Sequence, residues 1–367
     1  MTNVDEAVHF YQVQEGAAGT HLALRWNGRV RFTVPRNATA RETCWKIFRP
    51  GQLEFPLRVM ARLPRFSRAA NCVETESLAS IRAALAEDAG LSCCRNGAPG
   101  VWSKDTLLFL HKDSMEPAYI VKAGAGEAVS ALLQNEAEWL GALRDHAPLQ
   151  DHIPEFVVHC SRPELSFVAE RPLRGKLEFE FGEPHAAFLR KFQERSRCMM
   201  PFKECKLYRN LRSRMGDLQG RLDDVWSTRL EVGLGRIEQS FAETPILSVD
   251  AHNDFTPWNI RIENGLARVF DWEYADHEQL PLFDALHFAL MPMALKGESQ
   301  SRIAQKIRTV LQSSPQWFRP ESCSKAETQV LAYMMSLCTL YLWSDLEASK
   351  AHLALATYAA TIDSLCQ

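Results

Sequence analysis

The chain has 367 residues, 46% of them hydrophobic and 24% charged, with 42 Lys and Arg against 45 Asp and Glu for a net charge of -3. That length exceeds one typical domain and favours two. The near-neutral balance gives no overall pull toward nucleic acid. The first residues, Met1 to Gln12, carry acids where a secretory signal needs a basic start and an apolar run. The ten cysteines form no CxxC pairs with nearby His, which argues against zinc. Cys93 and Cys94 are adjacent, a poor geometry for a structural disulfide. Reduced thiols and a cytoplasmic location are the expectation.

Along the chain, Leu22–Trp26 and Arg29–Val34 flank Asn27-Gly28. That dipeptide predicts a hairpin, because both turn positions need positive φ. A helix is expected over Glu76–Glu87, where Leu78, Ile81 and Leu85 share one face. Asn96-Gly97-Ala98-Pro99-Gly100 reads as a turn ahead of a strand. Short apolar runs at Thr106–Leu110 and Ala118–Val121 predict another hairpin, and Lys122 ends its second strand. Glu127–Asp145 has helical periodicity through Leu133, Trp139, Leu140 and Leu143. Glu136 falls on that inward face, where a carboxylate is costly unless paired. Ser166–Ala169 is a further strand, and Pro172 and Gly175 mark a hinge.

Residues 189–215 are rich in cations: Arg190, Lys191, Arg195, Arg197, Lys203, Lys206, Arg209, Arg212 and Arg214 stand against Glu194 and Glu204. Such a stretch is either a solvated helix face or a patch for an anionic acceptor or membrane surface. Toward the C-terminus, Val330–Trp343 is too short and too broken by Ser and Thr to span a bilayer, and it reads as a buried helix.

The most informative segment is Leu247 to Glu273. An apolar run enters the loop His252-Asn253-Asp254-Phe255-Thr256-Pro257-Trp258-Asn259. A second apolar run, Ala267–Phe270, ends at Asp271-Trp272-Glu273, and Asn264-Gly265 predicts a tight turn between the two. That hairpin brings Asp254, Asn259 and Asp271 to one edge. Two carboxylates and an amide oxygen make a hard site suited to Mg²⁺. Phosphoryl transfer needs this set, with one carboxylate to take the proton of the attacking hydroxyl and others to hold the metal. Glu273 is read as a solvated or loop-bonding carboxylate, with approach to the metal as the alternative, and Asp276 and His277 as loop residues.

His252-x-Asp254-x-x-x-x-Asn259 followed by Asp271-Trp272-Glu273 resembles the aminoglycoside phosphotransferase and choline kinase group of the protein-kinase-like fold. The resemblance implies Asp254 as catalytic base, Asn259 and Asp271 as Mg²⁺ ligands, and His252 as a buttress of the loop. It also implies Asp284, in Pro281-Leu282-Phe283-Asp284, as the aspartate that pins the loop. Lys122 would hold the nucleotide phosphates, Glu136 would hold Lys122, and the strand ending at Glu170 would be the adenine hinge. Residues 96–100 would cover the phosphates, although they lack the three-glycine pattern of protein kinases and Pro99 removes a donor. Asn253 stands where the family most often has glycine.

The expected fold is therefore α+β, protein-kinase-like and two-lobed, with an N-terminal extension. Residues 1–90 would be accessory, 91–172 the ATP-binding lobe and 173–367 a mainly helical lobe with catalytic loop and acceptor site. The expected activity is ATP- (or GTP-) and Mg-dependent phosphotransfer to a small-molecule hydroxyl, of a sugar or glycan-related and even anionic acceptor. A fainter resemblance to phosphotransferases of bacterial polysaccharide gene clusters points to a sugar. Two alternatives stand beside it: a nucleotide-binding regulator without turnover, and an aminoglycoside-modifying kinase. The short stretch from Asp271 to Pro281 leaves little room for a protein kinase's activation segment.

Overall fold

Among the described residues, strand-forming runs in the first half of the chain assemble into one antiparallel sheet of nine strands. A computed structural model describes residues 10–15, 19–26, 29–48, 61, 67–85, 89–95, 102–111, 113–344 and 353–366. The chain divides into two compact units, one through Arg174 and one from Gly175.

The strands of the first unit are β1 (Tyr11–Glu15), β2 (His21–Trp26), β3 (Arg29–Pro35), β4 (Ser67–Glu74), β5 (Ala89–Arg95), β6 (Asp105–His111), β7 (Pro117–Gly124), β8 (Phe156–Arg162) and β9 (Leu165–Glu170). Their order in the sheet is β1-β4-β2-β3-β5-β6-β7-β9-β8. β3 pairs with β5 and β5 with β6, so the sheet runs through residue 90 without a break. The expected hairpins appear as the β2–β3 and β6–β7 pairs. Asn27 and Gly28 themselves lie outside the described residues, as does the 96–100 loop.

Among the described residues three helices cover this sheet: α1 (Ala38–Phe48), α2 (Glu76–Leu85) and α3 (Glu127–Arg144). Alternation along β6 shows why its run Leu107–Leu110 is continuously apolar. Leu107 and Phe109 join the cluster under Leu78, Ile81 and Leu85 of α2. Leu108 and Leu110 point the other way, into the cluster with Ala40, Cys44 and Trp45 of α1. Each of the three α2 side chains contributes roughly 1.5–3 kcal/mol by burial, before chain entropy is charged against it.

The second unit contains α4 (Glu183–Glu194), α5 (Lys206–Leu218), α6 (Asp224–Ser240), α7 (Phe283–Ala294), α8 (Gln300–Trp317), α9 (Ala326–Ser344) and α10 (Leu353–Cys366). Its strands are β10 (Cys198–Met200), β11 (Ile246–Ala251), β12 (Ile260–Glu263), β13 (Leu266–Val269) and β14 (Asp276–Gln279). They form a three-stranded sheet, β10-β11-β14, and the two-stranded hairpin β12-β13. The helix expected over 330–343 is α9, which packs against α5, α6 and α10 and is buried along most of its length. No helix among the described residues is long and apolar enough to cross a membrane.

Candidate active site

Chemistry-bearing side chains gather in one place within each unit. In the first unit, Lys122 occupies β7 between Thr106 of β6 and Val168 of β9. Its ammonium forms a direct ion pair with Glu136 of α3. Glu136 is wholly buried among Leu133, Leu140 and Leu143, and Lys122 is nearly so. A charge so placed is tolerated only when paired, and each member supplies the other's partner. Glu170 ends β9 opposite Ile120 and Phe156, with its side chain buried. The neighbouring Arg171 is tied to the same sheet, donating to the Ala118 carbonyl at 3.1 Å and lying 4.3 Å over the Tyr119 ring.

In the second unit, β11 delivers the loop that begins at His252. Its six residues are all buried, including Asp250, whose carboxylate pairs with Arg195 and lies 2.7 Å from Nδ1 of His277. His252 is completely buried, 4.6 Å from the Trp272 ring centre. One ring nitrogen, Nδ1, accepts the Asp254 N–H at 3.3 Å. The other, Nε2, therefore carries the proton and donates to the Phe270 carbonyl at 3.1 Å. His252 thus joins the loop to the strand that returns along it, as a buttress would.

Asn253 has a φ of 60°, in the left-handed region, and its Nδ2 donates to the Tyr274 carbonyl at 3.0 Å. Asparagine is among the few residues that accept this conformation at small cost. The departure from glycine at this position therefore leaves the turn intact. Asp284, at the start of α7, accepts the N–H groups of His252 and Asn253 at 2.9 and 3.0 Å, one on each carboxylate oxygen.

Asn264 and Gly265 have φ of 52° and 77°, the pair of positive values that a two-residue turn requires. They set Glu263 against Leu266 and Ile260 against Val269. The Phe270 N–H then donates to the Asn259 carbonyl at 3.1 Å, one step beyond the strands. Asp271 follows at a φ of 72°. Asn259 Nδ2 donates to Asp254 Oδ2 at 2.7 Å and to the Asp254 carbonyl at 3.0 Å. With Nδ2 engaged by Asp254, the Asn259 amide oxygen is the atom of that side chain that could serve a cation. The edge expected from the sequence thus holds Asp254 and Asn259 in direct contact, with Asp271 near enough for its charge to act on Asp254.

The Asp254 side chain keeps about a quarter of its surface exposed. Burial nevertheless raises its pKa above the usual carboxylate range, and the Asp271 charge adds to that rise, while hydrogen bonds from His287 and Asn259 oppose it. His287 is a residue the sequence reading missed. Its Nε2 lies 3.2 Å from Asp254 Oδ1, and it occupies α7 one turn after Asp284. A polar residue three positions from Asp284 on an otherwise apolar helix was the only local sign.

Three sequence expectations change. Asp276 and His277 belong to strand β14, and both are engaged: Asp276 with Lys206 and Asn210, His277 with Asp250. Glu273 is buried, not solvated. Most of the acids that the cationic stretch 189–215 finds lie outside it, where sequence proximity did not suggest them. Arg190 pairs with Glu183, Arg195 with Asp250, Arg197 with Glu194 and Glu321, Lys206 with Asp276, and Arg209 with Glu278.

No family model matches the chain, and no curated protein matches it. Solved structures do. A thermostable mutant of the aminoglycoside phosphotransferase APH(4)-Ia, in apo form, is 17% identical, with 76% of this chain and 94% of that one covered at a TM-score of 0.53. A point variant of the same enzyme, in a ternary complex with AMP-PNP and hygromycin B, is 16% identical over 76% and 94% at a TM-score of 0.51. A choline/ethanolamine kinase family protein from Mesorhizobium loti is 16% identical over 79% and 94% at 0.49. The chain has the α+β, protein-kinase-like fold of the aminoglycoside phosphotransferases.

Proposed function

We propose that this chain is an ATP- and Mg²⁺-dependent phosphotransferase that moves the γ-phosphate to a hydroxyl of a small molecule. The observation that carries the reading is the Asp254 carboxylate, held on one oxygen by Asn259 at 2.7 Å in a loop whose backbone is fixed by Asp284. A base on a rigid loop, with an amide oxygen and a second carboxylate beside it, is what in-line transfer asks of a protein. The similarity in fold supports this, and the nucleotide analogue in the ternary complex of the similar phosphotransferase supports ATP as donor.

In this mechanism Asp254 orients the acceptor hydroxyl and takes its proton. The hydroxyl oxygen bonds to the γ-phosphorus as the bond from that phosphorus to the β–γ bridging oxygen breaks, and ADP leaves with the electron pair. Asn259 and Asp271 would hold Mg²⁺, which when bound neutralises charge on the phosphates. Lys122 would hold the α- and β-phosphates, with Glu136 keeping its ammonium in place. The strand end at Glu170 would receive adenine through its backbone.

A sugar or glycan hydroxyl remains the preferred acceptor class. An anionic one has less to recommend it, because five of the nine cations between 189 and 215 are neutralised within the unit. The test is a thermal-shift titration with ATP, GTP and Mg²⁺ on wild type, Asp271→Ala and Asp254→Ala. A Mg²⁺-dependent rise in melting temperature that Asp271→Ala loses and Asp254→Ala keeps is the expected result. No shift at millimolar nucleotide would favour a scaffold without turnover.

A further inference from the structure

Behind Asp254 runs a buried polar chain through three helices. His287 of α7 places Nε2 3.2 Å from Asp254 Oδ1. The Tyr333 hydroxyl of α9 lies 3.2 Å from His287 Nδ1, and the Tyr358 hydroxyl of α10 lies 3.2 Å from that of Tyr333. His287, Tyr333 and Tyr358 are 3%, 2% and 0% exposed, so bulk solvent does not reach them. Three polar groups in a helical core cost free energy that Leu and Phe would not. For packing alone the chain is a poor solution, and among the described residues it leads out to the carboxylate oxygen of Asp254.

We infer that His287 is a positioning residue for the Asp254 carboxylate, and that Tyr333, backed by Tyr358, fixes the imidazole in the tautomer that this task needs. The inference rests on the phosphotransferase reading. The carboxylate only accepts, so His287 Nε2 donates to it. The neutral ring then accepts at Nδ1 from the Tyr333 hydroxyl, whose oxygen accepts from Tyr358. With Asn259 on Oδ2 and His287 on Oδ1, each carboxylate oxygen receives one donor, and the plane of the group is set before an acceptor arrives. Asp284 and His287 are three residues apart on one helical face. A single turn of α7 therefore fixes both the loop's backbone and its reactive side chain.

The experiment compares His287→Leu, His287→Gln and Tyr333→Phe with wild type. ADP release from MgATP is followed with water as acceptor, alongside the Mg²⁺-ATP thermal shift. His287→Leu should lower kcat by about 10- to 100-fold, as loss of an orienting partner does elsewhere, with KM for MgATP and the thermal shift unchanged. His287→Gln, which keeps an N–H at the reach of Nε2, should recover most of that loss. A His287→Leu protein with wild-type turnover overturns the inference and leaves transfer standing. So does His287→Gln as inactive as His287→Leu, since the ring would then only fill space. Wild type that neither releases ADP nor shifts with Mg²⁺-ATP removes the phosphotransferase reading and this inference together. One arm needs no turnover: in nitrogen-15 histidine spectra of the whole chain, His287 should be the Nε2-protonated tautomer, and Tyr333→Phe should disturb it. An Nδ1-protonated ring, or no response to Tyr333→Phe, overturns the relay.

Discussion

Asp284 lies 32 residues after His252, yet its Oδ2 accepts the His252 backbone N–H at 2.9 Å in a fully buried setting. The other oxygen takes the Asn253 N–H, so one side chain satisfies two donors that the loop cannot satisfy itself. Asp284→Ala leaves the His252 N–H buried and the Asn253 N–H half-buried without this acceptor, which costs about 1–4 kcal/mol. Urea unfolding of wild type and variant measures this, and a difference below about 1 kcal/mol would mean the loop holds without its pin.

The same carboxyl gives a pH prediction. Burial, opposed by those two N–H bonds, pushes the Asp284 pKa up to about 6. An aspartate in the unfolded chain titrates near ~4. Between these values the native state binds more protons than the unfolded chain. The stabilising contribution of this group is full below about pH 4 and is lost as pH rises through about 6. The unfolding free energy of wild type relative to Asp284→Asn should therefore fall by about 2 kcal/mol from pH 4.5 to pH 7.5. Parallel curves across that range would refute the shift.

What was legible in the sequence was mostly local. Asn264-Gly265 announces its own turn chemistry, and the register of β12 on β13 follows from it. Lys122 and Glu136 are 14 residues apart on adjacent elements, so strand end and helix face could be matched. His287 was missed because its partners, Asp254 and Tyr333, and Tyr358 beyond them, come from three other segments, and only helix packing brings them together. Likewise, the acids that neutralise Lys206 and Arg209 come from β14, about 70 residues on, beyond any periodicity argument. The insertion of β4 between β1 and β2 is also a matter of long-range pairing, which alternation within a strand does not encode.

The Lys122–Glu136 pair should behave as a buried ion pair. Removing one partner strands the other's charge, so Lys122→Met and Glu136→Leu should each cost about 3–5 kcal/mol. The double variant, with neither charge, should cost less than the sum by well over 1 kcal/mol. Denaturant midpoints of the four proteins close the cycle. Additive losses would show that the two side chains do not depend on each other.

Two glycines should respond to alanine with opposite sign. Gly175 has a φ of +114°, and a Cβ there would sit 2.7 Å from the Ile262 carbonyl oxygen, at the point where Lys176 bridges to Ile262. Gly175→Ala should destabilise by roughly 2 kcal/mol or more, through strain and clash together. Gly216 is an exposed position inside α5 with open space around a Cβ. Gly216→Ala should stabilise by about 0.5–1 kcal/mol. Thermal unfolding of both variants checks the pair, and equal signs would contradict the assigned backbone geometry.

Asn253 offers a last separation, between backbone conformation and side-chain bonding in the loop that carries Asp254. At a φ of 60° a Cβ-bearing residue without a compensating bond pays about 1–2 kcal/mol, and glycine pays nothing for the angle. Asn253→Gly gives up the 3.0 Å bond to the Tyr274 carbonyl but gains conformational ease, so its melting temperature should stay close to that of wild type. Asn253→Ala loses the bond and keeps the strain, and should melt several degrees lower. Asn253→Val, with a branched side chain, should be the least stable of the three. The order Gly, Ala, Val in melting temperature is the test. If Ala matched Gly, the left-handed backbone would not be what selects the residue here, and the Tyr274 bond would have to account for asparagine alone.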